Sequence, residues 1–570
     1  MSNIFESLSD VQKSIVFDKK GKFVVRACPG SGKTYSVAAR LVRLIEEWGK
    51  KHQGIAAISF TNAAWQEIKH QIESHFGVFS GISYPHFLGT IDSFINQNIF
   101  LPFGHLVLGC RKRPELVGEP HGTWHGRNWH ESHFCNVWID INGNKKIKDL
   151  TSIRNNRNRD KQIQKILNAK ESLLKAGYSS QHDASYFSMV ILEKYPQIAS
   201  ALAYKYPTLI IDEAQDTSDI QMRIIDLLIK HGLSEIMLVG DPDQAIFEWN
   251  EAKPGLFLQK YEEWQEGSID VNENRRSSQK ICDCTCKLSS LNQTSKAITN
   301  EVKDYIFFPM VITYDADNIN ATIEYFTSLC NENGIEVKKE KVAVIYRSKD
   351  IFKFITGIEP VSRDPWRDGD YHTKDFAKGK YLFDGKEIKK GFQLIERAYI
   401  KMVSGNPVCT PIDIEKRINE VGVTQHRKEV YKIFSLLPPT TCSIGEWVAQ
   451  TNDRLTSIGI TSSLFINDAL KNVTFAQVFR NENEALQHRE YRLGTVHSVK
   501  GETFEAVLLF LKSNIRGRQK YKHLIDRNVS VTEDEELRIV YVGLTRPRKL
   551  LVLAVPDDEN KQAWESKLLS

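Results

Sequence analysis

The segment 27–34 constrains the fold of this chain more than any other stretch. It reads Ala-Cys-Pro-Gly-Ser-Gly-Lys-Thr, with alanine where the strict pattern has glycine, and it follows a short apolar run. Apolar residues at steps of three and four follow it, from Val37 to Ile45. A glycine loop between a strand and a helix is the context of a phosphate-binding loop, because backbone N–H groups and the helix N-terminus favour negative charge there. In such a loop Lys33 holds the outer phosphates and the Thr34 hydroxyl binds Mg²⁺.

Length and composition predict a multidomain globular chain. At 570 residues it exceeds one ordinary core, so about two to four domains are expected. The formal net charge of +5 is compatible with a nucleic-acid partner without establishing one. The polar, mixed-charge residues 1–20 do not resemble a signal peptide, and no apolar run reaches the length of a membrane span. Nine cysteines in such a chain predict reduced thiols and a cytoplasmic location.

Polar residues follow several apolar runs that are typical of buried strands. Asp212 and Glu213 follow residues 208–211, and Gln244 closes the segment after residues 236–239. A first carboxylate can hold Mg²⁺ beside Thr34, and a second can orient and deprotonate an attacking water. Because open α/β sheets bind ligands at the carboxyl ends of their strands, these residues predict one crevice.

Further positions predict contacts with bases. The Gln12 amide, upstream of the loop, can read an adenine edge with one donor and one acceptor. Phe247 and Trp249 follow Gln244 closely, and an exposed aromatic ring there can stack on a nucleic-acid base.

Seven segments in a fixed order give the chain its resemblance to superfamily-1 helicases of the UvrD/Rep/PcrA type. They are residues 27–34, 60–62, 212–216, 240–244, 274–277, 495–504 and 541–546. The resemblance implies an α/β fold with two RecA-like P-loop domains, whose parallel sheets are flanked by helices, facing each other across ATP. Each domain carries a mainly helical or mixed insertion. The implied bounds are 1–100 and 190–268 for domain 1A, 101–189 for insertion 1B, 269–348 and 490–570 for domain 2A, and 349–489 for insertion 2B.

The resemblance also implies residue roles. Glu213 activates water, Gln244 couples the γ-phosphate to DNA, and Arg276 and Arg546 reach the γ-phosphate from domain 2A. The metal ligands are Thr34 and Asp212. The expected nucleotide-binding residues are Gln12, Pro29, Gly30, Ser31, Gly32, Lys33, Thr34, Arg275, Gly501 and Glu502. The expected DNA-binding residues are Phe60, Asn62, Thr90, Trp249, Thr495 and His497.

Four positions depart from the family pattern. Arg275 stands where relatives carry an adenine-stacking Tyr, and an Arg plane can also stack on a base. Tyr35 replaces an Arg after the loop, and Asn250 replaces an Arg after Trp249. Thr503 stands where a Glu contacts the ribose, which leaves open whether Glu502 takes that role.

Several local clusters admit two interpretations each. Residues 121–135 hold four histidines and Cys135, which fit a metal site or a DNA-facing surface, although no CxxC or HExxH spacing occurs. Cys282, Cys284 and Cys286 fit a cluster site or ordinary helix packing. The basic runs 154–159 and 512–522 fit phosphate contact or a solvated face. Residues 540–545 predict a strand that leads into a turn carrying Arg546, with a surface ion pair to Glu535 or Glu536 as the alternative.

The predicted function is an ATP- and Mg²⁺-dependent, 3′-to-5′ single-stranded DNA translocase or helicase in DNA repair or anti-phage defence. Its DNA would be single-stranded, or a duplex with a single-stranded tail. The alternative is a subunit that senses ATP and DNA and controls a partner nuclease with little unwinding. In composition and size the chain is also similar to the helicase-like subunits of anti-phage systems such as Gabija. No nuclease signature occurs, so this chain alone is not expected to cut DNA.

Overall fold

A computed structural model gives the fold of the chain. It describes residues 5–76, 82–122, 124, 126, 128–148, 158–247, 251–291, 294–357, 366, 372–405, 409, 411–460, 463–468, 471–479, 489–513 and 520–569. Within these residues no helix combines the length and the apolar character that crossing a membrane requires.

Strands and helices alternate through much of the chain. The strands are β1 (Lys22–Ala27), β2 (Ile55–Ser59), β3 (Phe87–Thr90), β4 (Glu115–Leu116), β5 (Val137–Ile139), β6 (Lys145–Ile147), β7 (Tyr178–Ser179), β8 (Thr208–Asp212), β9 (Glu235–Gly240), β10 (Ile269–Val271), β11 (Glu273–Asn274), β12 (Lys296–Ala297), β13 (Met310–Thr313), β14 (Val342–Tyr346), β15 (Arg492–Thr495), β16 (Phe504–Phe510) and β17 (Pro547–Val555).

The α-helices are α1 (Asp10–Lys13), α2 (Lys33–Glu46), α3 (Asn62–Phe76), α4 (Ile91–Ile95), α5 (Leu101–Phe103), α6 (His105–Leu108), α7 (Trp129–Ser132), α8 (Arg159–Lys175), α9 (Gln181–Lys194), α10 (Pro196–Lys205), α11 (Asp219–Lys230), α12 (Pro254–Glu263), α13 (Gln279–Cys286), α14 (Ile319–Glu332), α15 (Lys349–Thr356), α16 (Thr373–Asp384), α17 (Ile388–Ser404), α18 (Pro411–Val421), α19 (Val423–Leu436), α20 (Ile444–Ser457), α21 (Phe475–Phe479), α22 (Tyr521–Asp526), α23 (Glu535–Leu544) and α24 (Asp558–Leu568).

The first sheet is fully parallel and has the strand order β10-β1-β9-β8-β2-β3. Strands β2 and β8 are buried along their whole length, which explains their continuous apolar sequences. Because β1, β9 and β8 are neighbours, the loops after them meet at one edge of the sheet. This order brings the segment 27–34, Asp212 and Asp241 together.

The second sheet is also parallel, with the order β13-β17-β16-β14-β15. Its central strands β14 and β16 are almost entirely buried, and Trp564 of α24 packs into the same core. Parallel strands joined through helices are typical of α/β domains covered on both faces. The predicted α/β class with two RecA-like sheets is therefore confirmed.

The chain forms two compact units. One comprises residues 1–94, 192–357 and 488–570, and includes both parallel sheets. The other comprises residues 95–191 and 358–487; it is mainly helical, with the short pairs β4–β7 and β5–β6. The four-part division of the chain into 1A, 1B, 2A and 2B stays a prediction.

The strand predicted at residues 540–545 is wrong, because these residues belong to helix α23 and its C-terminal cap. The Asp534 side chain accepts hydrogen bonds from the backbone N–H groups of Glu536 and Leu537, and so caps the helix. The apolar, β-branched composition of the segment reflects burial on several sides of this helix, since all eight residues from Leu537 to Leu544 are buried. Arg546 consequently lies between this helix and β17.

Candidate functional site

The loop between β1 and α2 has the backbone geometry of an anion cradle. Gly30 and Gly32 have φ angles of 71° and 79°, which disfavour residues with a side chain. A Cβ atom on Gly30 would lie 2.6 Å from Arg276 Cβ, so the loop packs against the segment after β11 without room for a side chain. Gly32 is the N-cap of α2, and Lys33 is its first residue. The buried Ser31 hydroxyl has no hydrogen-bond partner, as expected of a loop shaped for a ligand.

The hydroxyl and carboxylate predicted to bind metal lie side by side. Thr34 Oγ1 donates a hydrogen bond to Asp212 Oδ2 over 3.2 Å. Asp212 is the last residue of β8 and is fully buried. Burial and the adjacent Glu213 raise the pKa of Asp212 to about 7, whereas Lys33 lowers it. A buried carboxylate is costly to keep ionised unless a cation binds it. The Asp212 carboxylate beside the Thr34 hydroxyl therefore fits a divalent cation such as Mg²⁺.

Glu213 is held in an unusual backbone conformation. Its φ of 54° is in the left-handed region, which costs free energy for any residue with a side chain and is found at functional sites. Gln215 Nε2 donates to Glu213 Oε2 over 2.5 Å. Burial acts to raise the pKa of Glu213, but the Lys500 and Lys33 ammonium groups and the Gln215 bond hold it below its usual value. The carboxylate is thus ionised and oriented beside the cradle.

Two arginines, Arg276 after β11 and Arg546 after α23, reach this edge. Burial and the neighbouring Arg546 lower the pKa of Arg276 to about 9, and burial lowers the pKa of Arg546 to about 10. Arg276 Nη1 donates to the Thr545 carbonyl, and Arg546 Nη2 donates to Gln244 Oε1 over 2.7 Å. Two adjacent guanidinium groups, one fully and one partly buried, are stabilised by an anion, which fits a phosphate group.

The surface ion pair considered for Arg546 is absent from its described contacts. Glu536 instead binds Arg347, with Nε–Oε2 at 2.8 Å and Nη2–Oε1 at 2.5 Å. Arg546 is only 1% exposed.

The residues predicted to bind the base converge on Gly32. Gln12 Nε2 and Arg275 Cδ lie 3.1 Å and 3.6 Å from the position of a Gly32 Cβ. Gln12 Oε1 accepts from the Ser9 N–H, while Nε2 is buried without a partner. Arg275 donates to Glu273 Oε2 over 2.9 Å and to the Ser31 carbonyl over 3.1 Å, which fixes its guanidinium plane. A free amide donor beside a fixed planar cation fits a purine.

Some of the predicted DNA-binding residues form one chain of rings. Phe60 stacks on Phe247 at 5.5 Å between centroids, and Phe247 lies 6.2 Å from the His497 ring. His497 Nε2 lies 3.2 Å from the Ile246 carbonyl oxygen. The side chains of Asn62, Thr90 and Thr495 make local hydrogen bonds, to Trp65, Ser93 and Ser498. Trp249 and Asn250 lie outside the described residues.

Gly501 and Glu502, two of the residues predicted to bind the nucleotide, lie near Arg492 and Arg546. Gly501 has a φ of 92°, and Glu502 Oε1 lies 3.5 Å from Arg492 Nη2. The Glu502 carbonyl faces Arg546 Nη1 at 3.5 Å. Pro29 lies inside the cradle loop.

Four polar residues at this edge, three of them fully buried and Lys500 largely so, were not identified from the sequence. They are Gln215, Asp216, Asp241 and Lys500, and all lie within the seven recognised segments. Asp216 pairs with Lys500 Nζ at 2.5 Å, which links the first sheet's loops to those of the second. Their position within a few residues of the strand ends was the available signal, but the sequence did not show which atoms they contact.

The described parts of the other candidate clusters hold no metal-ligand set. Among the described residues no group of three or more His, Cys, Asp or Glu side chains could hold a metal ion. Cys282 and Cys284 are buried in α13. His125, residues 154–157, and Arg516 and Arg518 lie outside the described residues.

Two protein-family models match this chain. The model of the UvrD/REP helicase N-terminal domain matches residues 8–100 and 128–265, and that of the UvrD-like helicase C-terminal domain matches residues 450–557. Together they match more than half of the chain. The regions matched include the cradle, the Asp212 edge and the Arg546 segment.

Individual relatives are more distant. The chain is 22% identical to the ATP-dependent DNA helicase PcrA of Staphylococcus epidermidis, over 86% of this chain and 67% of that protein. It is 25% identical to DNA helicase II of Haemophilus influenzae, over 51% of this chain and 41% of that protein. A match of 38% identity to the exonuclease/helicase subunit RexA of Lactococcus lactis covers 18% of this chain and 9% of that protein.

Proposed function

Since this chain belongs to the UvrD-like DNA helicases and is a DNA-dependent ATPase of that class, we propose that it translocates 3′-to-5′ along single-stranded DNA. The DNA is single-stranded or a duplex with a single-stranded tail. The observation that carries this proposal is the bond between Arg546, after α23, and Gln244, after β9. It joins the phosphate edge of one sheet to the other sheet's domain, as a motor driven by domain closure requires.

The residues around the cradle divide the hydrolytic work. Lys33 and the loop amides bind the outer phosphates, and Glu213 takes a proton from the attacking water. Arg276 and Arg546 stabilise the charge that develops on the transferred phosphoryl group, because each stays protonated at neutral pH. Gln12 and Arg275 hold the base. Thr34 and Asp212 would hold Mg²⁺, which neutralises phosphate charge when bound.

The ring chain next to this site supports the DNA assignment. Phe60, Phe247 and His497 follow the carboxyl ends of β2, β9 and β15, and Ile246, which His497 contacts, is two residues from Gln244. Aromatic groups give sequence-tolerant stacking on single strands. Changes at Gln244 on hydrolysis would therefore reach the DNA through adjacent residues.

The test is ATP hydrolysis by the full chain with single-stranded DNA, single-stranded RNA or no nucleic acid, over a range of salt. We expect strong stimulation by DNA that weakens as salt rises, since phosphate contacts release counterions. RNA should stimulate less. Equal stimulation by RNA would contradict the DNA assignment. Displacement of a labelled strand from tailed duplexes of either polarity then tests the direction.

A second candidate is an ATP- and DNA-sensing subunit that controls a partner nuclease. Two observations support this second function. They are the match to an exonuclease/helicase subunit and the presence of Arg275 in place of an aromatic residue. It predicts DNA-stimulated hydrolysis without strand displacement, and restored displacement or cleavage only when the partner is added. The same unwinding assay therefore separates the two functions.

A further inference from the structure

A continuous series of hydrogen bonds, made by side chains and by the backbone N–H of Asp241, connects Glu213 to Arg546. Gln215 Nε2 donates to Glu213 Oε2 over 2.5 Å, and Gln215 Oε1 accepts from the Asp241 N–H over 3.1 Å. Asp241 Oδ2 accepts from Gln244 Nε2 over 2.5 Å, and Gln244 Oε1 accepts from Arg546 Nη2 over 2.7 Å. The series begins after β8, crosses the loop after β9 and ends beside β17.

Beyond Glu213, the residues of this series are buried, so substitutions that remove one of its hydrogen bonds are costly. Gln215 and Asp241 are 0% exposed, Gln244 is 6% exposed and Arg546 is 1% exposed. Water does not replace a lost bond easily at such positions, so an unpaired group is costly.

The two glutamine amides have only one orientation that satisfies their partners. Gln215 meets a carboxylate with its NH₂ group and a backbone N–H with its oxygen. Gln244 meets a carboxylate with its NH₂ group and a guanidinium with its oxygen. A glutamate or an apolar residue at position 215 would lose at least one of the two bonds. The neighbouring backbone is also fitted to this side chain, since a Cβ on Gly240 would lie 2.4 Å from Gln215 Oε1.

We propose that Gln215 and Asp241 are positioning residues that make the placement of the Glu213 carboxylate depend on the seating of Arg546. The proposal rests on the proposed function, in which Glu213 activates water and Arg546 acts on the outer phosphate. Withdrawal of Arg546 frees the Gln244 amide, which then no longer holds Asp241 and Gln215 in register. The base is therefore correctly placed only when the second sheet's domain is closed.

The test uses Gln215→Met in the full chain, because methionine keeps the length of the side chain and removes both hydrogen bonds. We expect kcat for ATP hydrolysis with saturating single-stranded DNA to fall about 10- to 100-fold, as for loss of a bond to a charged group. The KM for ATP, and the affinity for a non-hydrolysable ATP analogue, should stay within about 3-fold. A merely structural role would not separate kcat from binding in this way.

The matched control is Gln221→Met. Gln221 is also buried, at 7% exposure. Its amide accepts from the Ser218 N–H at the start of α11 and donates to Asp92 of α4, and none of its described hydrogen bonds involves Glu213. We expect its kcat to stay within about 2-fold of wild type. If Gln215→Met does not fold, Gln215→Glu carries the same test, since it keeps the shape and the bond to Asp241 N–H and loses the donor to Glu213.

A double-mutant cycle tests the dependence on Arg546 directly. Arg546→Lys should lower kcat in the wild-type background, and should lower it at least about 5-fold less in the Gln215→Met background. Multiplicative effects, or a kcat of Gln215→Met within about 2-fold of a DNA-stimulated wild type, would overturn this proposal and leave the proposed function standing. A wild type that shows no DNA-stimulated hydrolysis would instead overturn the proposed function, and this proposal with it.

Discussion

Several ionisable side chains at this site are buried, and burial shifts their pKa values. Burial raises the pKa of Asp212 to about 7, and burial raises those of Asp216 and Asp241 to about 6. Burial and a second arginine lower the pKa of Arg276 to about 9. Such opposed charges, kept in a water-poor cleft, are the preorganised electrostatics that phosphoryl transfer needs.

Exchange of Glu213 should separate chemistry from binding. In Glu213→Gln the affinity for Mg·ATP should remain near normal while hydrolysis falls by at least about 100-fold, because Asp212 remains and only the base is lost. Lys33→Ala should weaken both, since Lys33 binds phosphates in the ground state. Equilibrium binding of an ATP analogue and steady-state turnover distinguish the two variants. Normal hydrolysis by Glu213→Gln would refute the assignment of the base.

At this scale the sequence predicted residue identities better than their contacts. The cradle, Asp212, Glu213 and Gln244 were predicted from their positions after apolar runs, and Arg546 from the resemblance to the helicase family. The structure brings them to one edge. Gln215 was not selected, because its importance comes from two bonds to groups whose proximity depends on the fold.

Strands were predictable from the sequence where both faces of the strand are buried. The apolar runs at β1, β8 and β9 were recognised because central parallel strands are apolar throughout. The same reasoning failed at α23, because a helix buried on most sides has an equally continuous apolar sequence. Its N-cap at Asp534 and the acidic residues of its first turn were the signals that favoured a helix.

The helices α8 and α9 are joined by a fully buried ion pair that the sequence did not reveal. Lys170 Nζ lies 2.6 Å from Asp183 Oδ2 and donates to the Phe134 carbonyl, and both side chains are 0% exposed. Ser180 also donates to Asp183 through its N–H and hydroxyl.

Lys170→Met should therefore destabilise this unit strongly, by about 3–5 kcal/mol, because it leaves a buried carboxylate without its cation. Hydrogen exchange of the α8 amides measures the local opening free energy without requiring two-state unfolding of the whole chain. The exposed pair Lys112–Glu115 offers a control, and Lys112→Met should change that free energy by less than about 1 kcal/mol. Equal protection of α8 in wild type and Lys170→Met would refute a stabilising role for the pair.

On the scale of the whole molecule, residues from distant parts of the chain meet within one compact unit. Asp243, after β9, accepts hydrogen bonds from Ser289 and Ser290, after α13. Arg538 of α23 donates to the Ala245 carbonyl over 2.6 Å. With Gln244–Arg546 and Ile246–His497, every residue from 243 to 246 contacts residues that follow or pack against the second sheet. This segment is thus one of the connections between the two sheets, together with the Asp216–Lys500 pair.

The central claim is that both halves act on one phosphate, and Arg546→Ala tests it most directly. An arginine of this kind acts mainly as charge develops during transfer, with effects of roughly 10³–10⁵ in turnover where measured in GTPases. We predict that the variant binds an ATP analogue within several-fold of wild type, yet loses nearly all hydrolysis in the presence of single-stranded DNA. Normal DNA-stimulated hydrolysis by Arg546→Ala would contradict the claim and remove the basis for a two-domain catalytic cleft.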